Sequence, residues 1–169
     1  MNLEDFETRV LPAKNKLYRF AFRLLGNSDE AKDVVQETMM KVWNGRDLAD
    51  VQNMEAWCMR IAKNLSLDKL RSMKRRPTGL MVDGFEVQHE GLSPHEKTEL
   101  TESMKRIDEL MTRLPDKQRQ VMYLRDIEGH SYNEISEILG LDMNQVKVNL
   151  FRARNAVREK LTQLNAYGL

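Results

Sequence analysis

The chain has 169 residues, 41% of them hydrophobic and 31% charged, which leaves room for one medium globular domain or two small ones. A net charge of only +1 excludes nucleic-acid binding driven by overall basicity; any such role must come from local patches. The single cysteine, Cys58, excludes an intramolecular disulfide, and no apolar run approaches the ~20 residues needed to span a bilayer. The acidic opening "MNLEDFETRV" does not read as a signal peptide, so a soluble cytoplasmic protein is expected.

Strand signals are almost absent, and helical periodicity runs through most of the chain. Residues 3–25 carry Phe6, Val10, Leu17, Phe20, Ala21 and Leu24 on one stripe. Pro12 kinks that helix or marks its effective start, and Gly26 ends it. Ser28 is the expected N-cap of a second helix, with Asp29 and Glu30 in its first turn. Ala31, Val34, Val35, Thr38, Met39 and Val42 then run inward to Trp43. After the polar loop "NGRDLADVQN", a third helix from about Met54 to Lys74 places Trp57, Ile61, Leu65 and Leu70 inward. Trp43 and Trp57 are read as core, and Cys58 as a packed thiol.

Charge then segregates. Residues 60–76 hold seven Lys or Arg against Asp68 alone, whereas 77–103 hold six Asp or Glu against Lys97 alone. The second stretch also has two of the four prolines and three of the eight glycines, the composition of a flexible linker. Beyond it four more helices are expected, at about 104–113, 116–126, 131–139 and 143–163. Pro115 starts the second of these, and Gly129 and Gly140 punctuate the later boundaries.

"SYNEISEILGLDMNQVKVNLFRAR" has the layout of a helix-turn-helix. Ser131 with Glu134 and Asp142 with Gln145 are two capping boxes around the bend at Gly140. Ile135, Ile138 and Leu139 form the inward face of the first helix, and Leu141 plugs the corner. In the second helix Val146, Leu150, Ala153, Val157 and Leu161 make one buried stripe. Asn144, Lys147, Val148, Asn149 and Phe151 are left to enter a major groove, with Asn suited to adenine and Val148 or Phe151 to a thymine methyl. Phe151 has an alternative reading as a second core contact. Arg152 and Arg154 are placed to hold phosphates, each worth about −0.9 in the slope of log affinity against log salt.

"AKDVVQETMMKVW" (31–43), "AWCMRIAKNLSLDKLR" (56–71) and "LPDKQRQVMYLRDIEGHSYNEISEILGLDMNQVKVNLFRARNAVREKL" (114–161) resemble bacterial RNA polymerase sigma factors of the extracytoplasmic-function (ECF) group of the sigma-70 family. The resemblance implies an all-α fold of two small helical domains: 1–76 for polymerase docking and the minus-ten element, and 104–169 for the minus-thirty-five element. Residues 77–103 join them as a flexible acidic linker, which the family runs near the active-site and RNA-exit channels. It implies docking on a polymerase coiled coil through the second helix, where Asp33, Gln36, Glu37 and Met40 share a face. It also implies that the loop and third helix melt the minus-ten element and hold a flipped base. Arg46, Asp47, Leu48, Ala49 and Asn53 would line that pocket, and Arg60, Lys63, Asn64 and Arg71 would hold the backbone. The implied partners are core RNA polymerase, promoter DNA and an anti-sigma factor of the kind often anchored in a membrane; no cofactor and no direct membrane insertion are implied. One departure stands out. After "QVK" the family usually has a small hydroxyl residue and then a basic one, where this chain has Val148 and Asn149.

Two other classes compete. An autonomous helix-turn-helix regulator explains 131–163 but gives 28–76 no task. An enzyme is disfavoured: His89, His95 and His130 show no metal-ligand spacing, and HExxH, GxSxG and GxxxxGK[ST] are absent. Glu134 and Glu137 read as cap and solvent contact, not as an acid–base pair.

Overall fold

A computed structural model describes residues 1–45, 48–74, 102 and 105–166, and every regular element among them is helical. They form two compact units, one N-terminal and one C-terminal. No described helix is long and apolar enough to cross a membrane.

In the N-terminal unit, the helix expected over 3–25 is broken in two. α1 (Leu3–Arg9) is separated from α2 (Lys14–Leu25) by a 3-10 turn, Leu11–Ala13. Pro12 is the cause, since it has no N–H to donate and its ring cannot sit inside a helix. Gly26 closes α2 as expected, at φ +65°, the left-handed conformation glycine adopts without strain. α3 (Ser28–Asn44) corrects the expected cap: Asn27, not Ser28, accepts the Glu30 N–H at 3.1 Å. Asn27 is extended, the geometry a cap needs, while the Ser28 hydroxyl lies 3.0 Å from that of Tyr18.

α4 (Met54–Lys74) has the expected extent but a different inward face. Met54, Ala56, Cys58, Met59, Ala62 and Ser66 are buried, while Ile61, Leu65 and Leu70 are half-buried and Trp57 is exposed. Cys58, Ala62 and Ser66 follow each other at steps of four, a ridge of small side chains that lets α4 approach α2 and α3 closely. Bulky Trp57 is excluded from that seam. Trp43 is also exposed, correcting its reading as core, and meets Phe6 edge-to-face with ring centroids 5.3 Å apart. Three contacts between segments distant in sequence fix the bundle. Lys69 pairs with Glu30 at 2.7 Å, Lys16 with Glu55 at 2.9 Å, and Arg9 donates to the Val51 carbonyl at 2.6 Å.

In the C-terminal unit, α5 spans 105–112. α6 (Asp116–Met122) starts at Pro115 and widens into a single π turn, Tyr123–Ile127. α7 (Tyr132–Leu139) and α8 (Met143–Ala166) form the helix-turn-helix. Both capping boxes close in both directions. Glu134 N donates to Ser131 Oγ at 3.1 Å and Ser131 N to Glu134 Oε1 at 3.2 Å. Gln145 N donates to Asp142 Oδ1 at 2.8 Å and Asp142 N to Gln145 Oε1 at 3.1 Å. Gly140 makes the bend at φ +66°, and Leu141 is buried at the corner.

Candidate nucleic-acid interface

The reciprocal cap at Asp142 fixes where α8 begins and leaves its first turn free of acidic residues. Val146, Leu150, Ala153 and Val157 are buried, as the stripe predicted, and Leu161 is half-buried. A second stripe of the same spacing, Asn144, Val148, Phe151 and Asn155, is offset by two residues and so faces the opposite way. Val148 is 44% and Phe151 67% exposed, which rules out Phe151 as a core contact. Exposed Lys147 and Arg152 flank that stripe. Asn155, which the sequence analysis did not single out, continues that stripe and is half-buried.

Two expected contacts are already engaged within the unit, although Arg154 stays exposed and Asn149 half-buried. The Asn149 amide donates to the Gln145 carbonyl of its own helix at 2.7 Å. Arg154 grips Asp126 of the π turn, Nε donating to Oδ2 at 3.0 Å and a second guanidinium nitrogen to Oδ1. Its hydrogen bonding to Asp126 is the main reason the Arg154 guanidinium holds its proton more tightly than usual.

Beneath α7, His130 is buried, and its Nδ1 lies 3.1 Å from Glu134 Oε2. Burial alone would raise the Glu134 carboxyl. The hydrogen bonds from His130 and from the Ser131 N–H and hydroxyl outweigh it and hold the group at about 2. The i, i+4 spacing of His130 to Glu134 is the sequence signal for this contact.

In the N-terminal unit, Asp33, Gln36, Glu37 and Met40 are all exposed on α3, opposite buried Val34, Thr38 and Val42. Met40 is 57% exposed and, with Trp43 one turn on, adds an apolar end to an acidic face. Of the loop residues expected to line a base pocket, Arg46 and Asp47 lie outside the described residues. Leu48 is half-buried and Ala49 exposed, both within a 3-10 turn, Leu48–Asp50. Asn53 is committed to structure, its Oδ1 accepting the Ala56 N–H at 2.9 Å to cap α4.

On α4, Arg60 and Asn64 are exposed and Lys63 is half-buried. Burial, and then the nearby Arg60 charge, push the Lys63 ammonium below its ordinary value. Two cations held together in this way favour an anion between them. Arg71 makes only a loose exposed pair with Asp68 at 3.3 Å, which leaves it open to exchange partners.

Two family models match the chain in succession. Residues 11–76 match Sigma-70 region 2, and residues 104–157 match Sigma-70 region 4. Over 162 residues the chain is 33% identical to the ECF RNA polymerase sigma factor SigW of Bacillus subtilis, spanning 89% of this chain and 86% of that one. It is 32% identical to the ECF RNA polymerase sigma factor SigE of Mycolicibacterium smegmatis, covering 95% of this chain but 63% of that longer one. The solved sigma factor RpoE of Bartonella quintana, in complex with the anti-sigma factor NepR, superposes with a TM-score of 0.75. It is 25% identical, over 95% of this chain and 98% of that one.

Proposed function

This chain belongs to the ECF group of sigma-70 RNA polymerase sigma factors, alternative factors that direct transcription initiation, and from that premise we propose how its parts divide the work. Residues 1–76 dock on core polymerase through the α3 face of Asp33, Gln36, Glu37 and Met40, then melt and read the minus-ten element. The loop Arg46–Ala49 with Asn53 receives the flipped base, and Arg60, Lys63, Asn64 and Arg71 hold the strand's phosphates. Residues 104–169 read the minus-thirty-five element with α8, through Asn144, Lys147, Val148, Phe151 and Arg152 and with the committed side chains of Asn149 and Arg154 in support. Residues 77–103 are the acidic tether between them. The chain carries out no covalent chemistry of its own. An anti-sigma factor, of the kind bound to the Bartonella quintana RpoE, covers the polymerase face when transcription is off.

The observation that carries this reading is the α3 face. Three polar side chains and a methionine stand exposed at i, i+3, i+4 and i+7 while the opposite face is fully buried. Folding does not require a thioether beside two carboxylates in water; a basic, partly apolar helix does. The test mixes the chain with core RNA polymerase and fragmented genomic DNA and sequences the 5′ ends of the transcripts. Discrete start sites that require the chain support the reading. Start sites unchanged from core alone, with no association on a sizing column, overturn it and leave an autonomous DNA-binding protein.

A further inference from the structure

We infer that α8 recognises a thymine in the upstream promoter element through its 5-methyl group, with Val148 and Phe151 as the specificity-determining contact; this rests on the reading of α8 as the minus-thirty-five helix. Val148 and Phe151 are three residues apart and point directly away from the buried stripe. They are the only exposed large hydrophobics among the described residues of the C-terminal unit. The fold gains nothing from exposing them, since the Val146, Leu150, Ala153 and Val157 stripe already supplies the helix's packing face.

The surroundings fix the class of occupant. Lys147 and Arg152 flank the apolar pair, Arg158 and Lys160 follow, and Glu159 is the only acidic residue of α8. An apolar protein partner would sit poorly against that row of cations, whereas duplex DNA brings phosphates to meet them and base edges to the stripe between. Among base edges in the major groove, the thymine methyl is the apolar one. The neighbouring polar side chain, Asn149, already gives one amide N–H to the Gln145 carbonyl of its own helix. Asn144, one turn before Val148 on the same stripe, is placed for the adenine of a neighbouring pair, so the element read here is rich in A·T.

The test uses a promoter whose start site depends on this chain, bound by the reconstituted holoenzyme. Each thymine of the upstream element is replaced singly by deoxyuridine, which deletes the methyl and keeps the pairing. One or two positions are expected to weaken binding about fourfold each, the worth of one buried methyl. Val148→Ser and Phe151→Ala, both at exposed positions, are expected to bind the thymine and uracil probes equally. Equal binding of both probes by the unaltered protein overturns the inference. So does a methyl effect that persists undiminished in both variants, because the methyl then acts through DNA shape. Absence of any chain-dependent promoter overturns the sigma reading itself and is distinguishable from either result.

Discussion

Arg154 on α8 and Asp126 in the π turn after α6 lie 28 residues apart and share two hydrogen bonds. The pair ties the outward-reading helix to the body of its own unit. It also occupies the Arg154 guanidinium, whereas no such pair among the described residues engages its neighbour Arg152, the residue proposed above to hold a phosphate. Arg154→Gln is therefore expected to leave the slope of log affinity against log salt for promoter binding unchanged, while Arg152→Gln flattens it by about 0.9. A flattened slope in Arg154→Gln would return that residue to the phosphates. Asp126→Asn should cost at most about 1 kcal/mol in urea unfolding, the usual worth of a partly exposed pair.

Glu134 links the helix-turn-helix to pH. Its folded value of about 2 lies below the ordinary 4.5, so the fold favours the anion. The stability it contributes is present in full above about pH 5 and is lost as pH falls from 4.5 toward 2. With the side chain 30% exposed, that contribution is about 1–2 kcal/mol after solvent screening. Unfolding of the Glu134→Gln variant, followed by circular dichroism at pH 7 and pH 3, should show a loss at pH 7 that shrinks at pH 3. An equal loss at both would mean that the cap, and not the charge, carries the effect.

Cys58 should be silent in the folded protein. Burial, with a smaller push from Glu55, raises its thiol to about 12. At pH 8 about one molecule in ten thousand is then thiolate. As the chain has one cysteine, labelling by a thiol reagent is an unambiguous readout. It should be slow at pH 8 and rise steeply through the urea transition; fast native labelling would contradict a packed thiol.

Charge reversal on α3 separates docking from folding. Asp33→Arg with Glu37→Arg changes only exposed positions, so thermal stability should move by less than about 1 kcal/mol. Association with core polymerase, measured by sizing or fluorescence anisotropy, should fall at least tenfold. Retained association would transfer docking to another face.

The parts of this structure that were legible in the sequence are those encoded locally. Both capping boxes, the bends at Gly26 and Gly140, and the α8 stripe each depend on residues a few positions apart, and all are found where expected. Misreadings arose where volume or a distant partner decides. Trp57 follows the apolar period of α4, but the face that packs inward is the one carrying Met54, Cys58, Met59, Ala62 and Ser66, and Trp57 lies outside it. Ser28 is as good a cap as Asn27 by type, and the backbone angle of Asn27 settles which one acts. Arg154 looks like its neighbour Arg152 until Asp126 is brought beside it. In the loop before α4, the capping role of Asn53 is one that its spacing to Ala56 could have indicated.

The two tryptophans of the chain, Trp43 and Trp57, both sit on the surface of the N-terminal unit, and the C-terminal unit has none. Tryptophan fluorescence, excited at the red edge where tyrosine does not absorb, therefore reports on one unit alone. A partner that covers the end of α3 moves the Trp43 indole out of water, which should blue-shift its emission and shield it from acrylamide. Engagement of α8 with DNA should leave the same signal unchanged. The molecule thus carries its own optical means of telling which of its two halves has found its partner.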